Sequence, residues 1–70
     1  MADRLVNRLR ELRVGHDLTQ ALLADLIGVS RKTINTVENG IFIPSTLLAL
    51  KLARALGCNV DAIFALEEQE

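Results

Sequence analysis

The sequence predicts an all-α fold: a compact five-helix bundle that contains a helix-turn-helix. Three observations lead there. Seventy residues allow one small hydrophobic core and leave no room for a second, so residues 1–70 are read as a single domain. Half of the chain is apolar, yet Phe42 and Phe64 are its only aromatics. The core therefore has to be assembled from Leu, Ile, Val and Ala, a mixture that suits packed helices better than a sheet. Finally, Gly15, Gly28, Gly40 and Gly57, with the lone Pro44, divide the chain into five segments, each with its own cap or apolar stripe.

From Arg4 to Val14 the side chains of Leu5, Leu9 and Leu12 recur at helical spacing. Gly15, His16 and Asp17, which tolerate a left-handed turn, close this first helix. Thr19 is a good N-cap for a second, in which Leu23, Ala24 and Ile27 form an inward stripe before Gly28 ends it. Ser30 caps a third that runs to about Asn39 and breaks at Gly40. So short a Gly-containing turn forces the second and third helices to cross steeply, the geometry of a helix-turn-helix over about residues 19–39. After a loop from Ile41 to Pro44, Ser45 caps a fourth helix with Leu48, Leu52, Ala55 and Leu56 inward and Gly57 as its stop. Asn59 can cap a short fifth from Val60 to Phe64, with Asp61 at the positive end of its dipole and Val60, Ile63 and Phe64 closing the core. Phe64 to Leu66 could instead extend as a strand against Leu5, and the pattern leaves both open.

Composition excludes several function classes. A single cysteine, Cys58, rules out a disulfide framework, and with a single histidine, His16, there is no ligand set for zinc. No metal, cofactor or small-molecule ligand is expected. Cys58 has no Lys, Arg or His beside it in sequence to activate it and is read as core, while His16 is read as a surface turn residue. Asp25 and Asp61 lack a paired carboxylate at helical spacing, and neither a serine-hydrolase signature nor a Gly-rich phosphate loop is present, so the chain is not read as an enzyme. The longest uncharged stretch, Asn39 to Leu50, is about half of the ~20 residues a membrane span needs. With no apolar segment at the N-terminus, the expectation is a soluble, cytoplasmic chain with no membrane partner.

The net charge of −1 conceals a segregation. All eight Lys and Arg lie at or before Arg54 against five acids, for +3, whereas the tail from Ala55 carries four acids and no base, for −4. A basic face can therefore form while Glu67, Glu68 and Glu70 point elsewhere. On the third helix, at about 100° per residue, Arg31, Lys32, Asn35 and Thr36 fall within an arc of about 140°, opposite Ile34 and Val37. Any surface helix has a polar arc, but this one is chemically suited to a major groove. Arg and Lys can donate to guanine, Asn can pair with adenine through both ends of its amide, and a Thr methyl can touch thymine. The first turn adds free N–H groups and a positive dipole suited to phosphate.

The segment LTQALLADLIGVSRKTINTVENG, Leu18 to Gly40, resembles the helix-turn-helix of Cro/CI-type regulators, the xenobiotic-response-element family. The resemblance continues through IFIPSTLLALKLARALGCNVDAIF and covers nearly the whole chain, with the TQ, A, GVS, TI, ENG, PS, KLA, ALG and IF elements in order. It implies a five-helix bundle whose second helix crosses the DNA backbone and whose third lies in the major groove. It also implies a double-stranded DNA partner, bound by a homodimer on a palindromic operator, and a regulator of transcription that is usually a repressor. Carried over, Thr19, Gln20 and Asn39 match phosphate-binding positions, with Gln20 also steadying the first groove-facing side chain. Ser30 is a cap that can also donate to phosphate. Arg31, Lys32, Asn35 and Thr36 match the base-facing positions, and Gly40 allows its neighbours' N–H groups to approach phosphate. Arg13 and Glu38 match a largely buried structural salt bridge.

This chain departs from the family pattern in three places. Ile41, Phe42 and Ile43 follow the ENG element where basic or polar residues are common, and Leu22, Leu26 and Leu47 replace residues that are usually charged. Leu22 also removes the acid that would complete a capping box with Thr19. The dimer is expected to use Ile41, Phe42, Ile43, Val60, Ile63 and Leu66, an apolar surplus for so small a core. A competing class is a protein-interaction module, antitoxin-like or anti-repressor, in which Leu22, Leu26 and Leu47 bind a second protein.

Overall fold

The computed structural model describes residues 4–67, which leaves Glu68 and Glu70 outside it. Five helices stand between two short strands: β1 (Leu5–Asn7), α1 (Leu9–Gly15), α2 (Gln20–Ile27), α3 (Arg31–Glu38), α4 (Thr46–Leu56), α5 (Val60–Ile63) and β2 (Phe64–Leu66). The helical bundle and its helix-turn-helix are as the sequence predicts. The segment before α1 differs. Leu5 to Asn7 is extended and pairs antiparallel with Phe64 to Leu66, Leu5 opposite Leu66 and Asn7 opposite Phe64.

The physical reason for this correction lies in Asn7. Its Oδ1 accepts from the Leu9 N–H at 3.0 Å and its Nδ2 donates to the Val37 carbonyl at 2.6 Å. Asn7 thus ends the strand, starts α1 and ties both to α3. Leu9 and Leu12 follow the helical spacing into the core, but Leu5 belongs to the strand. The left-handed residue closing α1 is Asp17, at φ 57°, whereas Gly15 is the last helical residue.

Three hydroxyl caps start the next helices. Thr19, Ser30 and Ser45 each accept from the N–H three residues on, at 3.1 Å. α2 and α4 stop at Gly28 and Gly57, both left-handed, where any side chain would be strained. Leu9, Leu23, Ile34, Val37, Leu52 and Ile63 form the fully buried centre, and burying each such side chain is worth about 1.5–3 kcal/mol.

Four smaller expectations are corrected. Ala53 rather than Ala55 is the buried alanine of α4, Ala55 being only partly covered. Asn59 precedes α5 without making a side-chain cap bond. α5 stops at Ile63, because Phe64 already turns into the strand. Ile63 is fully buried within its own chain, so it cannot form part of a surface offered to a second copy. Its neighbour Val60 is partly buried against the core, as is Cys58. Ile41, Phe42, Ile43 and Leu66 are exposed.

Candidate nucleic-acid interface

α2 and α3 meet through Leu23, Ala24 and Ile27 on one side and Ile34 and Val37 on the other, all buried. This packing leaves the opposite face of α3 outward. Arg31, Lys32 and Asn35 are exposed there and, with Gln20 from the start of α2, line a shallow cleft. Thr36, the fourth base-facing candidate, is partly buried, and its hydroxyl donates to the Thr33 carbonyl at 3.0 Å.

Behind this face sits a polar centre built on Glu38, whose side chain has no exposed surface. Arg13, 13% exposed, donates from Nε to Oε2 at 2.6 Å and from Nη2 to Oε1 at 3.3 Å. Its Nη1 also holds the Leu18 carbonyl at 2.7 Å, fixing the chain just before α2. Arg10 Nε and Gln20 Nε2 donate to Glu38 Oε1 at 3.3 and 3.1 Å. Burial pushes the Glu38 carboxyl up, but the hydrogen bonds from Arg13, Gln20 and Arg10 and the charge of Arg13 outweigh it and hold the group below its ordinary value. Glu38 is thus a satisfied anion, paired with α1 and α2 rather than with the cations of α3.

Gln20 faces Asn35, with its Oε1 3.5 Å from Asn35 Nδ2, and makes no hydrogen bond to Arg31, the first of the expected base-facing side chains. Asn39 Nδ2 donates to Asn35 Oδ1 at 3.1 Å, and Asn39 Oδ1 accepts from Arg10 Nη2 at 3.0 Å. Asn39 keeps one amide proton uncommitted. Thr19 Oγ1 and Ser30 Oγ act as caps, and Ser30 Oγ also shares a hydrogen with Thr33 Oγ1 at 3.0 Å.

One expectation at the end of α3 is corrected. Gly40 is left-handed, at φ 73°, but the backbone N–H groups around it close onto α3. Gly40 donates to the Val37 carbonyl at 3.0 Å, and Ile41 and Phe42 both donate to that of Thr36, at 3.0 and 3.2 Å. They complete the helix C-terminus and are not offered to phosphate. Arg10 and Asn7 join this network without being singled out by the sequence. The spacing of Arg10 three before Arg13 places both on one helix face, which is the signal available for the former. Nothing local in the sequence reveals that Asn7 spans 30 positions to Val37.

The helix-turn-helix family model HTH_3 matches residues 9–63. The chain belongs to this family. An uncharacterized HTH-type transcriptional regulator of Methanocaldococcus jannaschii is 44% identical over 64 residues, 91% of this chain and 97% of its own. The uncharacterized HTH-type transcriptional regulator YgzD of Bacillus subtilis is 38% identical over 63 residues, 90% of this chain and 96% of its own. Among solved structures, the restriction-modification controller protein C.AhdI from Aeromonas hydrophila superposes with a TM-score of 0.73 at 43% identity, over 76% of this chain and 80% of its own. This regulator is therefore a DNA-binding helix-turn-helix protein of transcription control and not an enzyme. No helix among the described residues is long and apolar enough to cross a membrane.

Proposed function

We propose that residues 1–70 act as one sequence-specific DNA-binding unit that pairs with a second copy and represses transcription by occupying a palindromic operator. The observation that supports this most directly is the outward face of α3, where Arg31, Lys32 and Asn35 stand exposed with no acid paired to them among the described residues. On this reading Arg31 and Lys32 donate to guanine, Asn35 pairs with adenine, and Thr36 contributes its methyl group. Thr19, Gln20, Ser30 and Asn39 hold phosphate and set the register. The likeness to a restriction-modification controller protein supports a regulatory role.

Pairing is supported by an apolar face. Ile41 and Ile43 are 77% and 74% exposed, Phe42 and Leu66 are also exposed, and Ile43, Leu50, Val60 and Leu5 border one groove. A symmetric dimer sets two α3 helices about one DNA turn, ~34 Å, apart. Selection of bound duplexes from a random library tests the whole reading, with a palindromic consensus as the expected outcome. Ile43→Asp, at a surface position, should abolish the dimer in sedimentation and reduce binding of the full palindrome to that of a half-site. A wild-type monomer that binds both equally well would sink the dimer. A second reading, a protein-binding module, is favoured by Leu22 and Leu26, which lie one turn apart on α2 at 51% and 63% exposure, and by exposed Leu47 on α4. Failure of the library to yield any enriched duplex would favour it.

A further inference from the structure

We infer that Arg10, on α1 and outside the helix-turn-helix, is a positioning residue that fixes which way round the Asn35 amide faces the DNA, so that a base preference depends on a side chain that touches no base. The inference rests on the proposed reading of Asn35 as a base contact. An amide's oxygen and nitrogen have nearly the same shape and opposite chemistry, so its orientation has to be imposed by its partners. Arginine can only donate, and an ionised carboxylate can only accept. Here both kinds of group bracket a run of three amides.

Arg10 Nη2 donates to Asn39 Oδ1 at 3.0 Å, which turns Asn39 Nδ2 toward Asn35. Asn35 Oδ1 accepts from it at 3.1 Å, and Asn35 Nδ2 faces Gln20 Oε1 at 3.5 Å. Gln20 Nε2 then donates to Glu38 Oε1 at 3.1 Å, and Arg10 Nε reaches the same oxygen at 3.3 Å. Every hydrogen bond in this ring runs from Arg10 toward Glu38. Inverting Asn39 would set its NH2 against the Arg10 guanidinium, donor against donor, and inverting Gln20 would set oxygen against carboxylate. Asn35 is held at both ends by amides whose own directions are fixed by charge. One Nδ2 proton and one Oδ1 lone pair remain for the groove, the complementary pair that the N7 and N6 edge of adenine requires.

Arg10→Met keeps much of the length and removes the donors, and Arg10→Lys restores a donor without the fork. The binding experiment uses the full chain and compares the selected duplex with one in which the adenine facing Asn35 is replaced in both half-sites. Arg10→Met should narrow that preference by about threefold to tenfold per half-site, the worth of a modest hydrogen bond. Arg10→Lys should recover part of it, and in an Asn35→Ala background Arg10→Met should leave the ratio unchanged. A loss of affinity common to both duplexes, with a salt slope lower by about 0.9 per subunit, would mean that Arg10 only neutralises phosphate and would overturn the inference. The side-chain amide resonances of Asn35 in the DNA-free protein give a second readout. They should move in Arg10→Met, and if they do not, the positioning role is overturned whatever the binding data. If they move while Asn35→Ala retains the adenine preference, the base contact assigned to Asn35 is what fails, and the link to specificity goes with it.

Discussion

The two halves of α3 are held by different means. At its entry the helix is held by the Ser30 cap and the burial of Ile34, and Arg31 and Lys32 extend from it without an ion pair to any described residue. Toward its end, Asn35, Glu38 and Asn39 are tied to α1 and α2 through Arg10, Arg13 and Gln20. Long untethered cations adapt to a groove but give up rotamer freedom on binding, whereas a tethered amide gave up its freedom when the chain folded. On the proposed function the entry supplies charge and adaptable donors, and the second half supplies a pre-set donor and acceptor pair. The contrast shows how one short helix can divide the work between side chains that settle on contact and side chains already in place.

The most severe way to break that division is to remove Glu38. Its replacement by Ala leaves Arg13 partly buried without its anion, a loss that costs about 3–5 kcal/mol when a buried pair is broken from one side. That is a large share of the about 5–15 kcal/mol that holds a domain together. Urea unfolding should show a much lower midpoint, and an unchanged midpoint would mean that the pair contributes nothing. The same group gives stability a pH dependence. Because its folded-state pKa lies below the ordinary 4.5, the unfolded chain binds the extra proton first, so this contribution is complete above that value and is lost as pH falls through the lowered one. Glu38→Gln should remove that part of the acid slope, and a slope equal to wild type would assign it to other carboxylates.

The entry half of α3 was legible in the sequence and the tethered half was legible only in part, for a physical reason. Caps and stops act over three or four residues, so Thr19, Ser30, Ser45, Gly28 and Gly57 announce themselves in a single chain. The Arg13–Glu38 pair was expected only because the chain resembles a family that has it. The ring through Arg10, Asn39, Asn35 and Gln20 depends on three helices meeting, with Arg10 29 positions from Asn39, and no local pattern encodes that meeting. The same holds for β1 and β2, where Leu5 fits a helical stripe as well as a strand until Leu66 arrives from the far end of the chain. Ile63 departs from expectation for the opposite reason: a count of apolar residues implies a surplus, and the core absorbs this one.

The next largest effect separates base contact from charge at the entry. If Arg31 forks onto a guanine, Arg31→Ala should cost about 1–3 kcal/mol per half-site and flatten the selected preference at one symmetric pair of positions. If it only neutralises phosphate, the consensus should stay intact while the slope of log affinity against log salt falls by roughly 1 per subunit. Both quantities come from one variant. An unaltered consensus would remove Arg31 from the base-reading set and leave that role to Lys32, Asn35 and Thr36.

The smallest effect concerns the cap on which the entry half depends. Ser30 Oγ accepts from the Thr33 N–H at 3.1 Å and shares a hydrogen with Thr33 Oγ1 at 3.0 Å, so the cap occupies a lone pair, and the hydroxyl proton is free for phosphate when Thr33 is the donor between the two. Ser30→Ala should lower stability by about 1 kcal/mol, whereas Ser30→Gly, a tolerated N-cap, should lower it by only a few tenths. Neither variant can donate from a side chain at that position. If the hydroxyl serves phosphate, Ala and Gly should weaken DNA binding alike, with the salt slope unchanged because no cation is lost. If Ser30 is a cap only, binding should track stability, falling in Ser30→Ala and staying near wild type in Ser30→Gly. Binding by Ser30→Gly, set beside its unfolding midpoint, therefore decides whether the entry half of α3 holds DNA with Ser30 or only starts there.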